Sequence, residues 1–232
     1  YQADRSIFGF PENIVVFLVE LDYLSCIERK NPFSAIRAFK KAFGTSNQVL
    51  LILKVLNAFA ASPGDERLRQ EIGGTTNIRI MAETLSTHQM HCLYASIDVF
   101  VSLHRSVGFG LALFETMMLG KPVIATNYSG NLEYMSAVPP EFQFTLISFV
   151  YATVLTSGHF QSIFTNTSRW AEPNIEEASR AMKQLTNRSV LRRYAQVVTP
   201  RIRDGFSAKA VGLTMTRRLQ ELSARWSNRS FF

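Results

Sequence analysis

The sequence predicts an α/β fold: a parallel sheet with crossover helices on both faces, extended by helices at the C-terminal end. Short β-branched runs alternate with longer amphipathic runs as far as Thr126, which is the pattern of strands joined by crossover helices. After Pro140 the rhythm changes to polar helical runs. The chain has 232 residues, 47% of them hydrophobic and 19% charged, enough to bury one sizeable core.

Strands are expected at Ile14 to Val19, Val49 to Val55, Asn77 to Met81, Asp98 to Leu103 and Pro122 to Thr126. Their near-continuous aliphatic character suits a sheet covered on both faces. Helical patterns separate them. Pro32 to Phe43 opens on Asn-Pro, Gly64 to Ile72 is rich in charge, and Ser86 to Ala95 begins on a residue suited to an N-cap. Gly110 to Leu119 stops at Gly120, with Pro122 unable to continue a helix.

The most apolar stretch, Phe142 to Leu155, is broken by Gln143, Thr145, Ser148 and Thr153. It falls short of the roughly 18 apolar residues of a membrane span and reads as buried strand and core. Ser157 to Trp170 reads as loop, with Trp170 as core. Helices follow from about Asn174 to Thr186, Ser189 to Asp204 and Ser207 to Ser223.

A net charge of +7 points to an anionic ligand, a nucleic acid or an acidic membrane surface. Much of the surplus, including Arg192, Arg193, Arg201, Arg203, Arg217 and Arg218, lies on the helical patterns between Arg188 and Arg229. Solvated helix faces account for it, so no nucleic-acid partner is expected, while peripheral contact with a membrane face stays open. Cys26 and Cys92 form no C-x-x-C pair and fit a reducing compartment. With no basic-then-apolar leader after Tyr1, the expected location is the cytoplasm or its membrane face. The sequons at Asn127, Asn166, Asn187 and Asn228 then read as chance matches.

Open parallel sheets bind ligands at the carboxyl ends of their strands, which directs attention to the loops after Val19, Met81, Leu103 and Thr126. The third of these, His104 to Gly110, has the sequence HRSVGFG and runs straight into a helix. Its glycines let the backbone approach a ligand, and the helix N-terminus offers N–H groups to a phosphate. It lacks the third glycine of the dinucleotide fingerprint and does not follow the first strand, which counts against an oxidoreductase. His104 and Arg105 flank the loop as candidate phosphate contacts. Ser129, Gly130 and Asn131 form a second backbone-rich turn toward the same crevice. His88 and His91 lie one helical turn apart, but with no third ligand near they read as surface histidines, and no metal is expected. Lys54 reads as a snorkelling strand-end lysine.

The run VSLHRSVGFGLALFETMMLGKPVIATNYSGNLEYM resembles the nucleotide-sugar site of the group 1 (family four) glycosyltransferases, whose fold pairs two Rossmann-like domains in the GT-B arrangement. FGFPENIVVFLVELDYLSCIERKNPFSAIRAFKKAF is similar to the first strand and helix of their C-terminal domain. RWAEPNIEEASRAMKQL is similar to its returning helix, and FSAKAVGLTMTRRLQEL to its last. The likeness runs from about residue 5 to 222 and is weak over 139–168.

The resemblance implies one Rossmann-like donor-binding domain over residues 1–222, half of a GT-B fold, with a C-terminal tail at 223–232. A retaining, metal-independent transferase would take a nucleotide-diphosphate sugar as donor substrate, with no cofactor. An N-terminal domain or a partner chain would hold the acceptor, and this chain alone would be inactive. Lys30 falls where the family places a basic residue against the donor diphosphate, with Arg29 adjacent. Lys54 is similar in position to a lysine that some members carry. Gly108, Phe109, Gly110 and Leu111 match the loop that lies against donor sugar and phosphate. Glu115 matches the second of two paired glutamates and would accept hydrogen bonds from the ribose hydroxyls. Lys30 and Glu115 are thus the expected catalytic pair, and Arg29, Arg105, Ser129, Gly130 and Asn131 the expected further donor contacts.

The first glutamate of that pair should stand at 107, where this chain has Val107. Losing the polar partner of a sugar hydroxyl typically costs about 2 to 5 kcal/mol. Either nucleotide binding persists with altered sugar handling, or the copy is degenerate; the divergence over 139–168 leans toward degeneracy. A non-catalytic nucleotide- or glycan-binding module that partners an active transferase is the alternative function.

Overall fold

The computed structural model describes residues 2–58, 63–154 and 167–227. The sequons at Asn166 and Asn228, most of the loop expected over Ser157 to Trp170, and residues 228–232 lie outside them.

The first strand, β1 (Val15–Asp22), sets the architecture. Successive side chains of a strand point to opposite faces, so the run VVFLVELD divides its apolar residues between two cores. Val15, Phe17, Val19 and Leu21 pack with Ile36 and Phe39 of α2 (Pro32–Phe43) and Met182 of α7 (Ile175–Gln184). Val16 and Leu18 pack on the other face with Leu93 and Tyr94 of α4 (Thr87–Ser96) and Met117 of α5 (Leu111–Met118). Tyr194, Val198 and Ile202 of α8 (Arg188–Phe206) complete that second core. The strand is an apolar run because both of its faces are covered.

A six-stranded sheet has the order β3 (Ile78–Met81), β2 (Val49–Leu56), β1, β4 (Val99–Ser102), β5 (Val123–Thr126) and β6 (Leu146–Ile147), and every pairing in it is parallel. The chain builds outward from β1 to β3 and then returns to β1's other side with β4. That reversal leaves a crevice above the carboxyl ends of β1 and β4, where ligands of such sheets bind. The helices α1 (Ile27–Lys30), α3 (Pro63–Ile72) and α6 (Leu132–Met135) complete this half. Ser86 caps α4 in a full capping box with Gln89, as its sequence position implied.

Three expectations change. Phe142 and Ile147 are buried, but β7 (Phe149–Thr153) is not core: it forms an antiparallel ribbon with β8 (Arg169–Pro173), leaving Val150 69% and Tyr151 59% exposed. Among the described residues the ribbon consists of these two strands alone. Trp170 is buried as expected but stands on a strand rather than in a loop. The last helix, α9 (Ala208–Ser227), extends through residues expected to be tail.

The C-terminal arginines are partly structural. Arg188 reaches Asp98 (2.9 Å) and the Ile14 carbonyl (3.0 Å), and Arg203 donates to the Met118 carbonyl at 2.6 Å, which fastens α8 to the sheet domain. No described helix is long and apolar enough to cross a membrane. Both cysteines are free.

Candidate functional site

Two loops meet above the crevice and are tied into one unit. Asn31 lies buried between α1 and α2, its Nδ2 donating to the Leu103 carbonyl at 3.0 Å while its Oδ1 accepts from the Ser34 N–H at 3.4 Å. The Arg105 N–H donates to the Arg29 carbonyl (2.9 Å), and the Arg29 guanidinium donates to the Ser106 carbonyl (2.9 Å). Lys30, at the end of α1, is thereby held beside the loop that follows β4.

That loop is shaped from below. Gly110 has φ +80°, a conformation that side chains other than glycine's resist, and its carbonyl accepts from the Tyr134 hydroxyl at 3.1 Å. The Val107 N–H donates to Ser129 Oγ (2.9 Å), and the Gly130 N–H donates to the Val107 carbonyl (3.2 Å). The first helical bond of α5 runs from Phe114 N–H to the Gly110 carbonyl, 3.0 Å. The N–H groups of Leu111, Ala112 and Leu113 therefore have no intrahelical partner and carry the positive end of the helix dipole. Lys30, Glu20, His104, Val107 and this first helical turn line one cavity of about 170 Å³.

The charges around the cavity are balanced. Burial lowers the pKa of Lys30, Arg29 lowers it further, and Glu20 and Asp22 partly restore it. Burial raises the Glu20 carboxyl and Glu115 adds to the rise, against the hydrogen bond from the Tyr94 hydroxyl and the charges of Lys30 and Lys54. His104 is 1% exposed, and burial lowers its pKa to about 4, so its ring is neutral at pH 7. Its Nε2–H donates to the Tyr128 carbonyl (3.2 Å) while Nδ1 accepts from the Ser102 hydroxyl (3.0 Å), an arrangement that specifies the tautomer. Glu115, one turn into α5, stands 3.4 Å from His91 Nε2.

The model of the family described as glycosyl transferases group 1 matches residues 12–137, just over half of the chain. The chain belongs to the group 1 glycosyltransferases. The matched span contains β1 to β5, both loops of the crevice and α5. Solved structures similar to this group 1 chain include the sucrose-phosphate synthase of Thermosynechococcus elongatus, with 19% identity, a TM-score of 0.64, and coverage of 95% of this chain and 48% of that one. A glycosyltransferase from Rickettsia africae matches at 15% identity and TM-score 0.62, over 97% and 51%. The C-terminal domain of a group 1 family glycosyl transferase from Francisella tularensis matches at 14% identity and TM-score 0.58, over 85% and 88%. At these identities the likeness is one of fold: a Rossmann-like half of the GT-B arrangement. The chain spans about half the length of the first two. No curated protein is similar enough in sequence to match it.

The structure of this group 1 chain brings Lys30, Val107, Gly110 and Leu111 together on one cavity. Phe109 is 39% exposed and rests against Phe114 and Tyr134, with ring centroids 5.3 and 5.1 Å away. Gly108 touches the Ser129–Asn131 turn rather than the cavity wall. Ser129 and Gly130 support the loop from beneath through the two hydrogen bonds at Val107. Asn131 is not a cavity residue: it is fully buried, and its Nδ2 donates to the Thr126 carbonyl at 3.1 Å. Arg105 is also directed elsewhere. Its guanidinium is taken up by Glu172 (2.5 Å), the Glu28 carbonyl (2.7 Å) and the face of Trp170 (4.9 Å), on the wall of a different cleft of about 710 Å³. Arg29 is engaged by the Ser106 carbonyl and Ser25 Oγ.

Lys54 does not snorkel. It is fully buried, donating to the carbonyls of Val55 (3.0 Å) and Glu83 (2.7 Å), and it stands beside Glu20 in the β1–β2 register. No group of His, Cys, Asp and Glu suited to a metal ion occurs among the described residues. Sequence reasoning passed over Glu20 and Tyr94. The signal for Glu20 was an acid inside the apolar run VVFLVELD, two residues before its terminal Asp22 and in phase with Val16 and Leu18, so facing α4 and α5.

Proposed function

We propose that this chain is the donor-binding half of a glycosyltransferase that uses a nucleotide-diphosphate sugar. The observation that carries the reading is the shared cavity of Lys30 and the first turn of α5 at the β1/β4 switch point, in a chain of the group 1 family. An ammonium and three outward N–H groups converging on one small space suit a diphosphate. In transfer, the bond between the anomeric carbon and the phosphate oxygen would break, a glycosidic bond to an acceptor hydroxyl would form, and the hydroxyl proton would pass to the departing phosphate oxygen. Lys30 and the N–H groups of α5 would stabilise the charge that collects on the departing nucleoside diphosphate. In a retaining, metal-independent reaction that work would fall to the chain's own cations and dipoles. Glu115, half-buried on its helix beside His91, would accept the two ribose hydroxyls.

The acceptor would come from another domain or chain. On α9, Val211, Met215, Leu219, Leu222 and Trp226 are all exposed, and at 100° per residue they fall on one side of the helix. That stripe is the surface available to such a neighbour.

A second reading, binding without transfer, is favoured by Val107. Its side chain lines the cavity where the family's first glutamate would hold the sugar, and an apolar group cannot replace those hydrogen bonds. Calorimetry of the chain with UDP, GDP and their sugars tests the proposal. Binding of a nucleotide sugar that is weakened at least about tenfold in Lys30→Ala supports it; a folded chain that binds none of the four overturns it.

A further inference from the structure

The cavity proposed for the diphosphate contains a carboxylate. Glu20 lines the same space of about 170 Å³ as Lys30 and the N-terminal turn of α5. Its strand phase directs it to the face of α4 and α5, where the Tyr94 hydroxyl donates to Oε2. The charged and titratable groups around it come from every neighbouring element: Lys54 from β2, Lys30 from α1, Tyr94 and His91 from α4, Glu115 from α5, and neutral His104 after β4. Asp22 lies on its own strand. Two lysines thus face two nearby glutamates, and one lysine, Lys54, is already committed to two backbone carbonyls. An anion entering here meets little net positive charge, and Glu20 is the group it confronts.

Building on the donor-site reading above, we propose that Glu20 is a specificity-determining residue that makes nucleotide-sugar binding proton-linked. The cavity accepts a diphosphate when the Glu20 carboxylate takes one proton from solvent and its acid form donates a hydrogen bond to a phosphate oxygen. Tyr94 continues to donate to the other carboxyl oxygen, so the group need not move. The protonation state of Glu20 then decides whether the cavity suits an anion or a neutral ligand. Burial already favours the acid form.

The test is calorimetry of the 232-residue chain with UDP-glucose and GDP-mannose, whose diphosphate diesters do not titrate near neutral pH. Titrations run at several pH values, in buffers of low and high ionisation enthalpy. The expected result is uptake of about one proton per ligand, with affinity falling about tenfold per pH unit above the Glu20 transition. Glu20→Gln keeps the shape and the acceptor for Tyr94; it should bind without proton uptake and more tightly than the wild type at pH 8. Tyr94→Phe removes a hydrogen bond that favours the carboxylate and should move the binding transition to higher pH. His91→Gln should leave the proton uptake in place, which separates Glu20 from the imidazole beside Glu115. Binding with no buffer-dependent heat, or a Glu20→Gln chain that still takes up the proton, overturns the role of Glu20 and leaves the donor site standing. Failure of the wild type and Glu20→Gln to bind either ligand at any pH overturns both.

Discussion

Gly130 and Gly108 are in backbone contact: a Cβ built on Gly130 would stand 1.4 Å from the Gly108 carbonyl oxygen. No side chain can occupy that space without moving the loop that leads into α5. Gly130→Ala should therefore lose about 3 kcal/mol of stability in urea unfolding, the upper end of overpacking costs, and weaken nucleotide-sugar binding. Gly108→Ala is the control. An added Cβ there meets nothing within 4 Å, so its stability should stay within about 0.5 kcal/mol of wild type.

Much of this arrangement was legible in the sequence. The β-branched runs marked five of the six parallel strands, and the G-F-G loop before an apolar helix marked the crevice. What was not legible came from packing partners distant in sequence. Arg105 reads as a loop cation, yet Glu172 and Trp170, far along the chain, claim its guanidinium. Phe149 to Thr153 is apolar enough for core, but it pairs with β8 in a two-stranded ribbon that leaves Val150 and Tyr151 exposed. Asn131 sits in a turn and looks available, while its amide is spent on the Thr126 carbonyl. Glu20 was hidden by its neighbours, because the apolar residues Val15 to Val19 before it and Leu21 after it keep the strand pattern intact.

Lys30→Ala should weaken nucleotide-sugar binding about 10- to 100-fold, the range of a charge-assisted hydrogen bond. Its thermal stability should hardly change, since Lys30 is only partly buried and pairs with no single carboxylate at salt-bridge distance among the described residues. Parallel titration and melting of the two chains check this. A large stability loss with unchanged affinity would make Lys30 a structural residue.

His104 should give the fold an acid limit. Its pKa is about 4 in the native state against an ordinary imidazole value of 6.5, so between these values the unfolded chain holds more protons. Stability consequently falls as pH drops from about 6.5 to about 4, by about 3 kcal/mol for this group. In urea unfolding as a function of pH, His104→Gln should show a shallower loss across that window. An unchanged slope would mean that the ring is not held neutral.

Val107→Glu would put an acid on the wall of the cavity, where the resemblance expects the first of two glutamates. The variant should prefer the nucleotide sugar over the nucleotide alone by about tenfold more than wild type does, because the new carboxylate would meet the sugar hydroxyls while opposing the diphosphate equally in both ligands. Equal changes for both ligands would place position 107 away from the sugar.

The most direct test of the donor site is a titration of the ¹⁵N-labelled chain with UDP-glucose and GDP-mannose, followed by amide NMR. At least one ligand should shift the backbone amides of Leu111, Ala112 and Leu113 together with that of Lys30, and in Lys30→Ala the same shifts of the α5 amides should require about 10- to 100-fold more ligand. Shifts confined to the cleft of Trp170 and Arg105, or none at all, would contradict the account.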